Sequence, residues 1–251
     1  MGPVVDAAEH FARLLRHAAA PGSPEESGER GDSGEESLFV RIVRAAAMSL
    51  PVDGIALTLH TTPSQLQLMS ASPGIAARIE DLQMTLGEGP TLDAYASYGP
   101  VLIADLTLLE GGRWPILEAA LSTEDVGFLG ALPLQLGAIR LGVLSVYRHE
   151  PGLLEPDDLA AAFEVADAVT TLLLMSGESV PSDELLAQWV DGSANTNEIN
   201  QATGMVIAQL GVAAEEAYVR LRSTAFALGR PLSSIALDVV ERRLRLDVAG
   251  Y

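Results

Sequence analysis

The chain contains no cysteine and no lysine. Without thiols there is no disulfide framework, no thiolate metal site and no cysteine nucleophile. The missing lysine removes several mechanisms at once. A Walker-type phosphate loop, a protein kinase and a pyridoxal enzyme each depend on one, as does the usual phosphoacceptor receiver domain. Arginine supplies all 15 positive charges; genomic base composition is the simplest cause, and the exclusions hold whatever the cause. Aromatic residues are scarce at 5 %, which makes Trp114 conspicuous, either as a core anchor or in the lining of a pocket. No apolar run approaches the roughly 20 residues that span a bilayer. The first residues lack a positive region followed by an apolar stretch and a cleavage site. A cytoplasmic location without membrane association is therefore expected.

Catalytic constellations are also lacking. There is no nucleophile elbow and no HExxH, and the histidines at 10, 17, 60 and 149 show no metal-ligand spacing. The pair Asp157-Asp158 reads as the acidic start of a helix. The expectation is a non-enzyme with no catalytic residue, no metal site and no cofactor.

What is present is acid and apolar bulk. Across 251 residues, 48 % are hydrophobic and the net charge is −19. That charge is unevenly spread. Residues 1–194 hold 9 Arg against 28 Asp and Glu, whereas residues 195–251 hold 6 of each. A strongly acidic body repels nucleic acid; the neutral C-terminal fifth is where a polyanion is tolerated.

Residues 1–20 carry helical apolar spacing (Val4, Ala8, Phe11, Leu14, Leu15, Ala18), an amphipathic helix tethered to the body or docked on a partner protomer. Residues 21–36, "PGSPEESGERGDSGEE", have six carboxylates and no apolar side chain, the composition of a disordered linker. Residues 37–176 then mix α and β signals. A helix over 38–50 precedes a strand–hairpin–strand unit over 54–61 and 64–72. A short strand falls within 99–106, and strands at 127–136 and 139–148 join across Gly137-Ala138. A long helix occupies 155–174. The order predicts an α+β fold, an antiparallel sheet with flanking helices, all on one side of it. Residues 177–194 read as a linker with a short helix at 182–190.

"RIEDLQMTLGEGPTLDAYASYGPVLIADL" (78–106), "RWP" (113–115) and "ALPLQLGAIRLGVLSVYR" (131–148) resemble a GAF sensor domain of the kind found in actinobacterial two-domain regulators. The resemblance implies a small-molecule ligand of unknown identity; without cysteine a thioether-linked bilin is excluded. "LGEGP" itself lacks the lysine of a phosphate loop and is expected to turn the chain before a helix starting near Thr91. In GAF dimers the helices flanking the sheet commonly pair protomers, and the apolar content of 38–50 and 155–174 permits this.

Residues 195–251 show three helical segments, about 197–210, 213–228 and 232–246, separated by Gly211 and Gly229. A bundle this small is marginal alone, so packing on a neighbour is expected. "INQATGMVIAQLG", "EEAYVRLRSTAFALGRPLSSIALDVV" and their spacing resemble the ANTAR domain, an RNA-binding antitermination module. The hallmarks are Ala202 and Gly204, the Gly211-Val212 turn, Ala217, Leu221 and Arg222, and Arg230, Leu232 and Ala236. Thr203 departs from the pattern, since many members are basic there. The resemblance implies homodimers, paired through the GAF and linker helices, that hold two RNA hairpins by their loops and so prevent a terminator stem.

The chemistry of the residues agrees. RNA loops are read through base edges, 2′-hydroxyls and arginine planes, which suits short polar side chains beside guanidinium groups. Candidate RNA-binding residues are Asn197, Gln201, Thr203, Gly204, Arg220, Arg222, Arg230, Ser233 and Ser234. Gln201, Thr203 and Gly204 would offer an amide, a hydroxyl and close backbone approach. Arg222 and Arg230 would meet phosphates or stack. Ser233 and Ser234 open the third helix, whose unpaired N–H groups favour an anion. Structural counter-readings stand beside some of these: Gly204 could permit tight helix packing and Arg220 could pair with Glu216. Arg242, Arg243 and Arg245 form a basic cluster, read as a solvated helix end that suits the dipole or as a contribution to RNA attraction. The competing function is a ligand-sensing signalling protein whose C-terminal bundle binds protein or DNA.

Overall fold

Two hairpins build the sheet. β1 (Gly54–Thr62) pairs with β2 (Gln65–Ala71), and β4 (Phe128–Leu136) pairs with β5 (Ile139–Arg148) through the two-residue connection at Gly137, where φ is +60°. With β3 (Val101–Ile103) they form a five-stranded antiparallel sheet in the order β2-β1-β5-β4-β3. This computed structural model describes residues 7–18, 37–62, 65–109, 112–122, 124–176 and 194–246. The expected linker at 21–36 and the short helix at 182–190 lie outside them. β1 and β5 meet closely because position 142 is glycine: a Cβ there would lie 2.0 Å from the Thr58 carbonyl oxygen.

Side chains alternate across the strands with period two. Ile55, Leu57 and Leu59 of β1, Leu144 and Val146 of β5, and Phe128, Leu132 and Leu134 of β4 share one core. α2 (Leu38–Ser49) and α6 (Pro156–Ser176) cover that face. α1 (Ala7–Ala18) lies on both helices, with Phe11 buried among them and Arg41 Nη2 donating to the Leu15 carbonyl at 3.2 Å. The terminal helix thus docks on its own chain.

The opposite face is covered too, by α3 (Ile75–Leu86), α4 (Pro90–Ser97) and α5 (Pro115–Leu121). Here the sequence reading needs correction, since the helices flank both sides of the sheet and not one. An antiparallel sheet can leave one face in water, but β5 cannot, because the five consecutive residues from Val143 to Tyr147 point to both faces and are all buried. Trp114 anchors this second core at 2 % exposure, its indole N–H donating to Asp93 at 3.1 Å.

The "LGEGP" turn is as expected. Gly87 (φ +72°) ends α3, its N–H donating to the Gln83 carbonyl at 2.8 Å, and Gly89 (φ +140°) opens α4. A Cβ at position 89 would stand 2.4 Å from Gln83 Oε1. That approach lets Gln83 Oε1 accept the Thr91 amide at 2.8 Å. Gln83 belongs to a buried polar network centred on Glu80, which is 0 % exposed. Tyr147 (2.5 Å), Thr91 (2.8 Å) and Thr58 (3.2 Å) donate their hydroxyls to the Glu80 carboxylate, and Ser145 pairs with Thr91 at 3.0 Å. Burial, and then the Glu80 charge, push the Tyr147 phenol well above its usual range, so it serves as a donor throughout the physiological pH span.

The C-terminal module is three helices: α7 (Ala194–Leu210), α8 (Ala214–Leu228) and α9 (Leu232–Val240). Ala202, Val206, Ala217, Leu221, Ala225, Ile235, Ala236 and Val239 fill its core. Gly211 (φ +68°) and Gly229 (φ +60°) break the helices with left-handed caps, as glycine does at little cost. The third helix is shorter than expected. It stops at Val240, where the Asp238 carbonyl accepts both the Arg243 and Leu244 amides, and the chain folds back to bury Leu246.

Candidate nucleic-acid interface

α7 has two opposed sides. Ala202 and Val206 are fully buried in the bundle. Gln201, Gly204 and Ala208, at i, i+3 and i+7, are all exposed on the other side. A Cβ built on Gly204 meets nothing within 4 Å. Tight helix packing therefore does not account for this glycine, and the strip it belongs to is open to solvent. Thr203 lies half-buried on its flank, its hydroxyl donating to the Ile199 carbonyl at 2.7 Å. Asn197 lies in the first turns of α7.

The strip runs into a groove of about 530 Å³ lined by Met205, Ala208, Gln209, Arg242 and Arg245. Arg242 and Arg245 are exposed, and among the described residues neither pairs with a carboxylate. Arg242 is held in the left-handed region (φ +59°), with its amide bonded to the Val239 carbonyl at 3.0 Å. The two cations are thus fixed by the reversal that ends α9. The sequence reading left them as a solvated helix end, because the turn that aims them at α7 has no motif of its own.

The remaining candidates take other places. Arg220 pairs with Glu216 at 2.8 Å, the structural alternative. Arg230 bonds the Ser234 hydroxyl at 2.6 Å and Asp238 at 2.7 Å, so these two are tied together beside the start of α9. Hydrogen bonds from Arg243 and then Arg230 hold the Asp238 carboxyl below its usual range. Arg222 and Ser233 face the sheet domain. The Arg222 guanidinium lies against Gly87, and the Ser233 hydroxyl donates to Asp81 at 2.6 Å. In addition the Leu232 amide donates to Thr85 Oγ1 at 2.9 Å, and the Gln67 amide donates to Asn200 Oδ1 at 2.7 Å. Around these bonds Leu66, Met84, Ile199 and Tyr218 line a crevice of only about 20 Å³, room for about one water. The candidates therefore divide among the open strip of α7, the face turned toward the sheet (Arg222 and Ser233), and pairings within the module (Arg220 with Glu216, and Arg230 with Ser234 and Asp238). Asp81, Thr85, Gln67 and Asn200 were not legible as functional, since their partners are more than a hundred residues away.

Among the described residues no group of three acidic, histidine or cysteine side chains is placed to hold a metal, and no helix is long and apolar enough to cross a membrane.

The family model described as the ANTAR domain matches residues 194–240. The match coincides with α7 to α9 and bears out the resemblance carried by their motifs. It assigns the C-terminal module, residues 194–240, to an RNA-binding domain type of antitermination regulators. Solved structures similar to the chain lie over its sheet domain. They include the GAF domain from a phosphoenolpyruvate-protein phosphotransferase of Coxiella burnetii (19 % identity, 67 % of this chain, 95 % of that one, TM-score 0.46). A domain of a two-component sensor histidine kinase protein from Sinorhizobium meliloti is similar at 16 % identity, over 58 % of this chain and 93 % of that one, with a TM-score of 0.45. A free methionine-R-sulfoxide reductase from Neisseria meningitidis is similar at 13 % identity, over 72 % and 90 %, with a TM-score of 0.45. No curated protein matches the chain.

Proposed function

We propose that this protein is a cytoplasmic, non-enzymatic antitermination regulator in which a GAF sensor domain governs an RNA-binding module. As a homodimer it holds two hairpin loops of a nascent transcript and keeps the terminator stem from forming. One observation carries the reading. The exposed strip of α7 at Gln201, Gly204 and Ala208 is short in side chains and continuous with a groove rimmed by Arg242 and Arg245. Unstacked bases need flat backbone and guanidinium planes of this kind. Gln201 supplies an amide for base edges, while Arg222, Arg230 and the start of α9 supply phosphate contacts.

Dimerisation would use α2 and α6, where Met48 (62 % exposed) and Met175 (74 %) face water. A small-molecule ligand of the GAF domain would act on the Glu80 network, the polar centre between α3, α4 and the sheet.

The test is a gel shift of the full chain with an RNA carrying two short hairpins, against duplex DNA of equal length. RNA binds and DNA does not. Affinity falls with salt along a shallow slope, about −3 to −5 in log K against log [salt], because each of the few arginines that meet phosphates releases about one counterion. Gln201→Ala weakens RNA binding about tenfold, the loss of one bidentate contact. Equal binding of the DNA duplex would instead favour the signalling reading, to which the acidic body and the uncharged Thr203 lend support. Light scattering that returns a monomer mass at RNA-binding concentrations would remove the dimer.

A further inference from the structure

We propose that the sheet domain holds the RNA-binding module in a closed state by placing the Asp81 carboxylate where an RNA phosphate would sit. The proposal rests on the RNA reading above and names how that site is regulated. Leu232 and Ser233 are the first two residues of α9. The start of a helix presents unpaired N–H groups and the positive end of the dipole, a natural seat for an anion. Here that seat is taken. Asp81 accepts the Ser233 hydroxyl at 2.6 Å, and Thr85 Oγ1 accepts the Leu232 amide at 2.9 Å. The Ser233 hydroxyl and backbone both favour the charged carboxylate, but burial outweighs them and raises the Asp81 pKa. The contact therefore bears a desolvation cost that release would relieve.

A second candidate contact is occupied in the same way. The Arg222 guanidinium lies at the C-terminal end of α3, so close that a Cβ on Gly87 would stand 2.9 Å from Nη1. The negative end of the α3 dipole faces that cation. Thus a carboxylate and a helix terminus stand in for the phosphates that Ser233 and Arg222 would otherwise meet. The open strip at Gln201 and Gly204 is untouched. The closed state consequently keeps base contacts and withholds the phosphate contacts of Ser233 and Arg222, so it binds RNA weakly instead of not at all.

The closure is imperfect, and α3 is its handle. Gln67, which donates to Asn200, has its own Oε1 buried without a partner among the described residues. On α3, Asp81 and Thr85 sit at i and i+4 toward the module, while Glu80 and Gln83 sit at i and i+3 toward the buried network. Any ligand or shift that rearranges the Glu80 network turns α3 and moves Asp81 out of its seat.

The experiment compares full-length wild type with Asp81→Ala and Thr85→Val, by gel shift on the two-hairpin RNA and by hydrogen exchange of the Leu232 amide. Both variants are expected to bind RNA about tenfold tighter, within the usual range of coupling between sites, and to exchange the Leu232 amide faster. Thr85→Val keeps the side-chain volume and serves if Asp81→Ala perturbs folding. If wild type binds the RNA and the variants bind no tighter, the closure is overturned while the RNA reading stands. If the Leu232 amide exchanges faster but no form binds the RNA, the RNA reading fails and the phosphate stand-in with it.

Discussion

Gly204→Glu is expected to lower affinity for the two-hairpin RNA by about a hundredfold while raising the melting temperature slightly. The two effects have opposite signs for separable reasons. Glycine inside a helix is about 0.5 kcal/mol worse than glutamate, and a side chain at position 204 meets nothing within 4 Å. For a chain of this length that gain is about 1–2 °C. The new carboxylate, however, projects from the middle of the strip between Gln201 and Ala208. There it opposes phosphates and denies bases their approach to the backbone. Gly204→Ala separates the two parts: it should gain about 1 kcal/mol of stability and weaken RNA binding only severalfold. Calorimetry with parallel gel shifts reads both quantities. Wild-type RNA affinity in Gly204→Glu would show that the strip is not the interface. A fall in melting temperature would show that the strip is not open.

Glu80→Ala is expected to lower the melting temperature by about 10 °C. Removing the carboxylate strips the hydroxyls of Tyr147, Thr91 and Thr58 of their common acceptor inside a dry core. Each buried donor left without a partner costs about 1–3 kcal/mol, and about 1 kcal/mol moves a domain of this size by about 2–4 °C. Tyr147→Phe, which removes only one donor and keeps the ring, should cost about 1 kcal/mol. A melting temperature within 2 °C of wild type for Glu80→Ala would mean that the network is not a unit. Because Glu80 and Asp81 are adjacent on α3, loosening this network should also speed exchange of the Leu232 amide. That coupling would be absent if the inward and outward sides of α3 were independent.

The elements with strong local signals were legible from residues alone. The β4–β5 hairpin announces itself by two apolar runs around Gly137, and it forms with Leu136 opposite Ile139. The "LGEGP" turn needs positive φ at Gly87 and Gly89, which few residues other than glycine accept. The first two C-terminal helices end where Gly211 and Gly229 stand, and the hallmark residues Ala202, Leu221 and Ala236 are core. Where local signal was weak, the reading went astray. The element order predicts helices on one side of the sheet, yet α3 covers the other face with Glu80, Gln83 and Thr85 buried. Their burial depends on donors from β1, α4, β5 and α9, which no window of neighbouring residues contains.

The candidate site divides along the same line. That α7 carries a side-chain-poor strip follows from helical spacing, because Gln201, Gly204 and Ala208 fall on one side of any α-helix and the apolar residues on the other. Whether that strip would be packed or open is a property of neighbours, and the bundle leaves it open. The seating of Asp81 on the first turn of α9 joins residues 152 positions apart. Sequence determined which groups could bind an anion or a base, since that is a matter of side-chain chemistry and helix periodicity. Tertiary structure alone decided which of them face solvent and which face a carboxylate, because contact between distant segments is set by how two domains pack and not by either one's local propensities.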